Sequence, residues 1–494
     1  MTRITLDPPE PAEHAVAFRW SVEPATALYR ASRFTLRFPE SVDLSRVPDA
    51  LWWRIALICL HSQWPILRPC RVVLPVGLGP GEAEVWSRLM DAEVATLEAH
   101  RGTAGFERAV EIVDEGPPLP ALAPLPDTGR CATAFSGGKD SLLHAGILTE
   151  LTRQPVLVTT TSPMPPLEDH VSPRRRHVLE EVARRRDVTL IEVQSDFRAA
   201  WDNEFPRRLG YRVSVNEITD TFLYFAALLA AGVALGTTHL FLASEAEVQE
   251  SVDLDGRVIQ HPHCMYSVVT QRTLQAVLRS AGLRYGSLTS PLHSFQVQQL
   301  LWRRYADLRD LQSSCWLVRG TDAACSQCPQ CLRLAFGVLE VGDSPARMGV
   351  DLVPLLGAMR QWRPKERERG PLLPQDLVGR ALEMQTARAI QATSLGRVAS
   401  MIADGRPARL LSRRALRALF HYARIRRRIA GRPADEPPGY RAGFLRLVDP
   451  ALRDSVAAIY AEHFAPEDEA AYAGVLSRSD ALVRWITEPI GGEA

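Results

Sequence analysis

The chain has 494 residues, 46% of them hydrophobic and 23% charged, with a formal net charge of +1. That is globular composition, and the length predicts about two to four domains. The near-neutral balance gives no overall field that would mark nucleic acid or a membrane as the partner.

The start, MTRITLDPPEPAEH, lacks the apolar stretch of a secretory signal. A first region, residues 1–125, mixes candidate strands (RFTLRFP, CRVVLPVGL) with candidate helices (DALWWRIALICLHSQ, GEAEVWSRLMDAEVATLEAH). It reads as an α+β domain of unassigned role, with partner docking as one use. It ends in EGPPLPALAPLPDTG, whose prolines read as a linker.

The second region, residues 126–342, alternates the two periodicities. CATAFSG, QPVLVTTT, VTLIEVQSD and THLFLASE read as strands. SLLHAGILTEL, SPRRRHVLEEVARRRD and EITDTFLYFAALLAAGVALG read as helices, the second opened by Ser172 as N-cap and Pro173 at the first helical position. Alternation of this kind predicts a doubly wound, mostly parallel α/β sheet. Such sheets bind ligands beyond the carboxyl ends of their strands, which puts Gly137, Thr160, Ser195 and Glu245 along one rim. The apolar run FLYFAALLAAGVALG is shorter than a membrane span requires and reads as a buried core helix. The third region, residues 343–494, reads as mostly helical and arginine-rich. Its segment SRRALRALFHYARIRRRIAGR is an amphipathic basic helix, either a solvated face or a contact for RNA, an acidic protein or a membrane.

Two constellations carry chemistry. The first is Ser136-Gly137-Gly138-Lys139-Asp140-Ser141, between a strand and a helix. Free backbone N–H groups at a helix start point at one spot, and two glycines let an anion approach the backbone. Ser136 and Ser141 add hydroxyls and Lys139 a point charge; Asp140 repels phosphate and suits a bridging Mg²⁺. The loop is not a Walker A motif, because Asp140 stands where Ser or Thr is needed, and it lacks the dinucleotide G-x-G-x-x-G spacing.

The second is SSCWLVRGTDAACSQCPQCLRL, with Cys315, Cys325, Cys328 and Cys331. Two overlapping C-x-x-C turns and a fourth cysteine put four thiolates within reach of one tetrahedral ion. Zinc in a closed structural site is the expected occupant, with an iron–sulfur cluster as the alternative. Clustered cysteines that do not form a disulfide scaffold fit a reducing compartment, so a cytoplasmic location is expected.

The glycine-rich loop resembles the PP-loop of ATP pyrophosphatases of the adenine-nucleotide α-hydrolase-like superfamily, members of which grip the pyrophosphate of ATP and transfer AMP to an oxygen. With the cysteine pattern some 180 residues on, followed by Leu332-Arg333, residues 128–342 resemble the 7-cyano-7-deazaguanine synthase family. The resemblance implies ATP, Mg²⁺ and a structural zinc, with adenylation of 7-carboxy-7-deazaguanine. It makes Lys139 and Asp140 catalytic and residues 136–141 the ATP-binding loop. The chain departs from that family in TTTSPMPPLEDH, VNEITDT and GRVIQHPHCMYS, elements near the substrate, and carries two extra regions. Long divergent relatives in antiphage type IV CBASS and Qat operons imply a ligase that joins the deazaguanine carboxylate to the N-terminal amine of a partner protein. The ammonia-using nitrile synthase and a tRNA-modifying PP-loop enzyme are the alternatives; nucleic acid is the less favoured partner, and no membrane is expected.

Further candidates stand along the middle region. Glu245 reads a guanine-like edge or is a solvated loop acid. His261 and His263 act on the substrate amine, bind metal or are structural. Asn216 and Glu217 line the pocket or cap the buried helix. Asp196 is a candidate for Mg²⁺ or ribose, and His144 reads as packing.

Overall fold

The computed structural model describes residues 1–101, 110–161, 173–315, 324–359, 362, 372–430 and 438–491. The strands are β1 (Thr2–Leu6), β2 (Glu10–Pro11), β3 (Ala15–Glu23), β4 (Arg33–Arg37), β5 (Cys70–Leu74), β6 (Val110–Asp114), β7 (Cys131–Ala134), β8 (Val156–Thr161), β9 (Thr189–Ser195), β10 (His239–Phe241), β11 (Val252–Leu254), β12 (Arg257–Ile259) and β13 (Arg284–Gly286). The helices are α1 (Asp49–Leu60), α2 (Glu82–Arg101), α3 (Lys139–Leu151), α4 (Pro173–Arg185), α5 (Phe205–Arg208), α6 (Val215–Ala234), α7 (Val268–Leu278), α8 (Ser294–Arg304), α9 (Pro329–Glu340), α10 (Leu352–Ala358), α11 (Pro374–Ala392), α12 (Leu395–Ala403), α13 (Arg413–Ile429), α14 (Pro450–Ala461) and α15 (Ala473–Thr487). Ser172, expected to cap α4, lies outside the described residues.

The protein is α/β with a mostly parallel, mixed central sheet. Its order is β13-β10-β7-β8-β9-β4-β3-β1-β5-β6, with β2 beside β3. The strands β9, β8, β7, β10 and β13 are all parallel. Counted from β9, they stand third, second, first, fourth and fifth in the chain. The winding therefore reverses between β7 and β10, the point at which sheets of this kind place a crevice beyond the carboxyl ends of their strands. β4 pairs antiparallel with β9, Leu36 opposite Ser195, and so joins the strands of the first region to those of the second in one sheet.

Alternation along the strands serves both faces. Val156 and Val158 of β8 enter a core shared with Trp52 of α1 and Phe222 of α6. Leu157, between them, enters a core on the other face shared with Leu142 of α3, Val178 of α4 and Phe336 of α9. The first core also takes Tyr472 and Ile486 from the end of the chain, and the second takes Ile390, Tyr422 and Tyr460. Residues of all three regions are thus packed around one sheet.

Helix α6 shows why the apolar run folds inward. Ser214 accepts from the Glu217 N–H, and Glu217 returns a bond to the Ser214 N–H, a capping box that starts the helix. Beyond it the helix is apolar over most of its surface, which suits a core position. It is long and apolar enough to cross a membrane, but most of it is buried inside the fold. Helix α13 is the opposite case. Ala415, Ala418, Tyr422, Ile425 and Ile429 face the core, while Arg413, Arg414, Arg417, Arg424, Arg427 and Arg428 are exposed, with Leu416 and Phe420 also outward.

Candidate functional site

The six-residue loop sits where β7 becomes α3, at the reversal point of the sheet. Gly137 has φ +76°, a left-handed conformation that favours glycine, and a Cβ there would stand 3.1 Å from Val178 Cγ1. Gly138 occupies the N-cap position of α3 without a side-chain cap. The first-turn N–H groups have no carbonyl partner within the helix. The loop holds itself in shape: the Ser136 N–H donates to Ser141 Oγ (3.2 Å), and Ser141 Oγ–H donates to the Gly138 carbonyl (3.1 Å).

Lys139 is buried, and its Nζ donates to Asp140 Oδ1 at 2.7 Å and to Glu245 Oε1. Glu245 arrives from the loop after β10, so the two strands that flank the crevice bring these three side chains together. Burial opposes the charge of Lys139, but Asp140 and Glu245 outweigh it and hold the ammonium above the ordinary lysine range. One ammonium against two carboxyls leaves a surplus negative charge, and Asp140 and Glu245 are hydrogen-bonded to each other. The pair titrates as a unit that retains a proton. Burial and the neighbouring carboxylates raise Glu245; burial also works against the charge of Asp140, but the Lys139 charge together with the hydrogen bonds from Glu245 and Lys139 outweighs it and lowers Asp140. Two carboxyls with surplus negative charge are groups that could hold a divalent cation.

The loop bearing Glu245 is anchored from behind. The Ser244 N–H donates to Ser287 Oγ (3.0 Å) and Thr289 Oγ1 (3.1 Å). Glu247 is fully buried and accepts from Gln385 Nε2 (2.7 Å) and pairs with His293 (3.3 Å). Burial works against the charge of both, yet each holds the other ionised: His293 rises to about 9 and Glu247 falls to about 2. Arg441 closes the network on Glu250 (2.7 Å) and Glu467 (3.0 Å). The third region thus braces the site loop, a role its sequence did not announce.

A second polar cluster lies at the carboxyl ends of β8 and β9. Arg198 forks onto Asp220 (3.0 and 2.5 Å) and reaches the Tyr224 hydroxyl (2.7 Å). Arg175 donates to Thr159 Oγ1 at 2.8 Å. Burial raises Asp220 even against the Arg198 charge. Tyr266 is in electrostatic reach of Tyr224 and Asp220 and also of Asp140 and Glu245. None of these residues was singled out from the sequence. The one signal was an acid, Asp220, in an otherwise apolar helical run.

The other expected site residues sort differently. His263 Nδ1–H donates to the Glu217 carbonyl (2.7 Å) and stacks on His261 at 5.2 Å. His261 is buried, and burial lowers it to about 3, so it is neutral and its Nδ1 accepts the His263 N–H at 3.2 Å. The two histidines belong to no group of possible metal ligands among the described residues. Glu217 completes the α6 cap and pairs with Arg207 (3.0 Å), while the Asn216 N–H donates to Asn203 Oδ1 (2.8 Å). These two hold the start of α6 in place. Asp196 accepts the Thr35 N–H at 2.6 Å and ties β9 to β4 rather than facing the loop. His144 is buried against Thr133 and accepts the Leu288 N–H at 3.2 Å, a packing role.

The four cysteines converge. All four Sγ atoms lie within 4.8 Å of one another, with Cys328–Cys331 at 3.5 Å, Cys325–Cys331 at 3.7 Å and Cys315–Cys328 at 4.0 Å. A tetrahedral ion with Zn–S bonds of about 2.3 Å sets its sulfurs about 3.8 Å apart, so the donor set fits zinc. N–H groups already face the sulfurs: Cys325 N–H to Cys315 Sγ and Cys331 N–H to Cys328 Sγ, both 3.4 Å. Ser326, with φ +55°, makes the tight turn between ligands. The cluster can hold a structural metal such as zinc. The segment before Cys315 touches the glycine-rich loop, where the Ser313 N–H donates to the Gly137 carbonyl (2.9 Å).

Two cavities lie elsewhere. One of about 560 Å³ sits at the amino end of β7, lined by Arg130, Glu150 and Arg153. The other, about 10 Å³ between Ser62, Glu93 and Cys264, has room for a water. Neither reaches the loop. No family model, curated protein or solved structure matches the chain.

Proposed function

We propose that the protein is a cytoplasmic ATP-dependent ligase that adenylates the carboxylate of a 7-deazaguanine and passes the acyl group to an amine. The observation that carries this reading is the meeting of Lys139, Asp140 and Glu245 over a glycine-rich loop at the reversal point of the sheet. The resemblance of residues 128–342 to the 7-cyano-7-deazaguanine synthase family supplies the substrate class.

Ser136, Gly137, Gly138, Lys139 and Ser141 cradle the β- and γ-phosphates, with the dipole of α3 favouring their charge. Asp140 with Glu245 would hold Mg²⁺, which would supply charge neutralisation on the phosphates. A carboxylate oxygen of the substrate attacks the α-phosphorus, the bond to the bridging oxygen breaks, and pyrophosphate leaves. The amine nitrogen then attacks the acyl carbon, AMP departs, and the amine proton passes to solvent. The chain's work is positioning and charge stabilisation. The cluster of Arg198, Asp220, Tyr224 and Tyr266 supplies donors and acceptors for a planar heterocycle beside the loop. The acceptor amine is the N-terminus of a partner protein in an antiphage system, for which the first and third regions offer surface.

Asp140→Asn tests the chemistry: pyrophosphate release should fall by about two orders of magnitude, and full activity would sink the mechanism. For the acceptor, 7-carboxy-7-deazaguanine, ATP and ammonia are supplied and the nitrile sought by mass spectrometry. Its formation would favour the synthase, and an added deazaguanine on a co-expressed neighbour protein the ligase. A second reading, a tRNA-modifying enzyme, draws on the exposed arginines of α13, which have no ion pair among the described residues. It predicts tRNA binding that weakens steeply with salt.

A further inference from the structure

The geometry points to Ser314 as a further ligand of the anion held by the glycine-rich loop, pre-oriented by the four-cysteine site; this rests on the nucleotide reading above. The Ser314 hydroxyl oxygen accepts the Lys139 N–H at 3.1 Å and Gln312 Nε2–H at 3.1 Å. A serine oxygen has two acceptor positions and one proton to give. With both acceptor positions filled, only the proton is left, and it has no acceptor among the described residues. Ser314 is partly exposed, and its oxygen stands 3.6 Å from where a Cβ on Gly138 would be, over the face of the loop an anion must approach.

The hydroxyl is held from two sides. Gln312 is buried and locked by Gln298 Nε2 (2.8 Å) and Trp302 Nε1 (3.2 Å), both donating to its Oε1 from α8. On the other side the next residue is Cys315. Among the described residues, this segment is tied to the turn carrying Cys325, Cys328 and Cys331 through the Cys315 sulfur. A bound metal would add a coordinate bond through the Cys315 sulfur beside that N–H···S contact. The strap Gln312–Cys315 then spans a fixed point at the metal and the loop itself, where the Ser313 N–H holds the carbonyl of left-handed Gly137. Metal binding thereby sets the nucleotide loop as well as the local fold.

The test is calorimetric binding of ATP with Mg²⁺, and of inorganic pyrophosphate, to the full chain. Metal content and unfolding temperature are recorded for each variant. Wild type should bind both. Ser314→Ala should bind each about tenfold or more weakly, with metal content unchanged and the unfolding temperature within about 3 °C of wild type, and Ser314→Thr should restore most of the affinity. Stripping the metal from wild type should weaken binding comparably, whereas stripping it from Ser314→Ala should add little. Ser314→Ala binding as tightly as wild type would overturn the inference and leave the nucleotide reading standing. Wild type without affinity for either ligand would overturn both.

Discussion

Glu245→Gln should remove a pH dependence of stability that the wild-type site imposes on the fold. In the folded protein Glu245 is raised from 4.5 to about 8, chiefly by burial, which the Lys139 charge only partly offsets, and then by the Asp140 and Glu247 charges. A carboxyl whose folded value lies above its unfolded one favours folding below pH 4.5 and loses that advantage as pH climbs through 8. The full shift is worth at most about 5 kcal/mol, and sharing the proton with Asp140 leaves about 2–3 kcal/mol. For a cooperative unit of this size, with about 2 cal/mol/K of unfolding entropy per residue, that is a fall of about 2–3 °C in unfolding temperature. Thermal unfolding of the ligand-free protein is followed at pH 5 and at pH 8.5 for wild type and variant. His293, which also loses its proton as pH rises towards 9, contributes equally to both and cancels in the difference. The variant should show the shallower decline, and identical declines would refute the shared-proton description of the site.

Cys328→Ala should lose the bound metal and lower the unfolding temperature by about 5 °C or more. It removes both a sulfur 3.5 Å from Cys331 and the acceptor that caps α9; metal analysis and thermal unfolding check both effects, and a metal-loaded or fully stable variant would contradict them. Gly286→Ala should cost about 2–4 kcal/mol, read by denaturant unfolding. A Cβ at position 286 would stand 1.8 Å from the Leu447 carbonyl oxygen, which also accepts the Ser287 N–H at 3.2 Å, so the C-terminal segment must leave β13. Unchanged stability would mean that the segment does not pack there.

What the sequence conveyed was local. The strand, loop and helix from Cys131 to Leu151 follow from an apolar run, two glycines and helical spacing, and all three are present as β7, the loop and α3. The cysteine pattern is likewise a short-range signal, and its four sulfurs converge. Glu245 was placed on the ligand rim by strand alternation alone, but its partner was not, because the reversal of winding that seats β10 beside β7 is a property of topology. The joining of the first region through Leu36 opposite Ser195 was illegible for the same reason: antiparallel pairing across 159 residues leaves no periodic trace. β1, β3 and β6 went unmarked, although Val16, Phe18 and Trp20 of β3 alternate inward as a half-buried strand should. The bracing of the Glu245 loop by His293, Arg441 and Glu467 rests on charges that, read singly, look like ordinary surface residues. The histidine pair shows the converse, a motif that looks chemical and is held by backbone hydrogen bonds.

Isotope exchange between labelled pyrophosphate and ATP, run with Mg²⁺ with and without 7-carboxy-7-deazaguanine, tests the central claim most directly. The account predicts label in ATP only when the carboxylate is present, and exchange about two orders of magnitude slower with Asp140→Asn. Release of ADP and orthophosphate, or no exchange in the presence of the carboxylate, would contradict it.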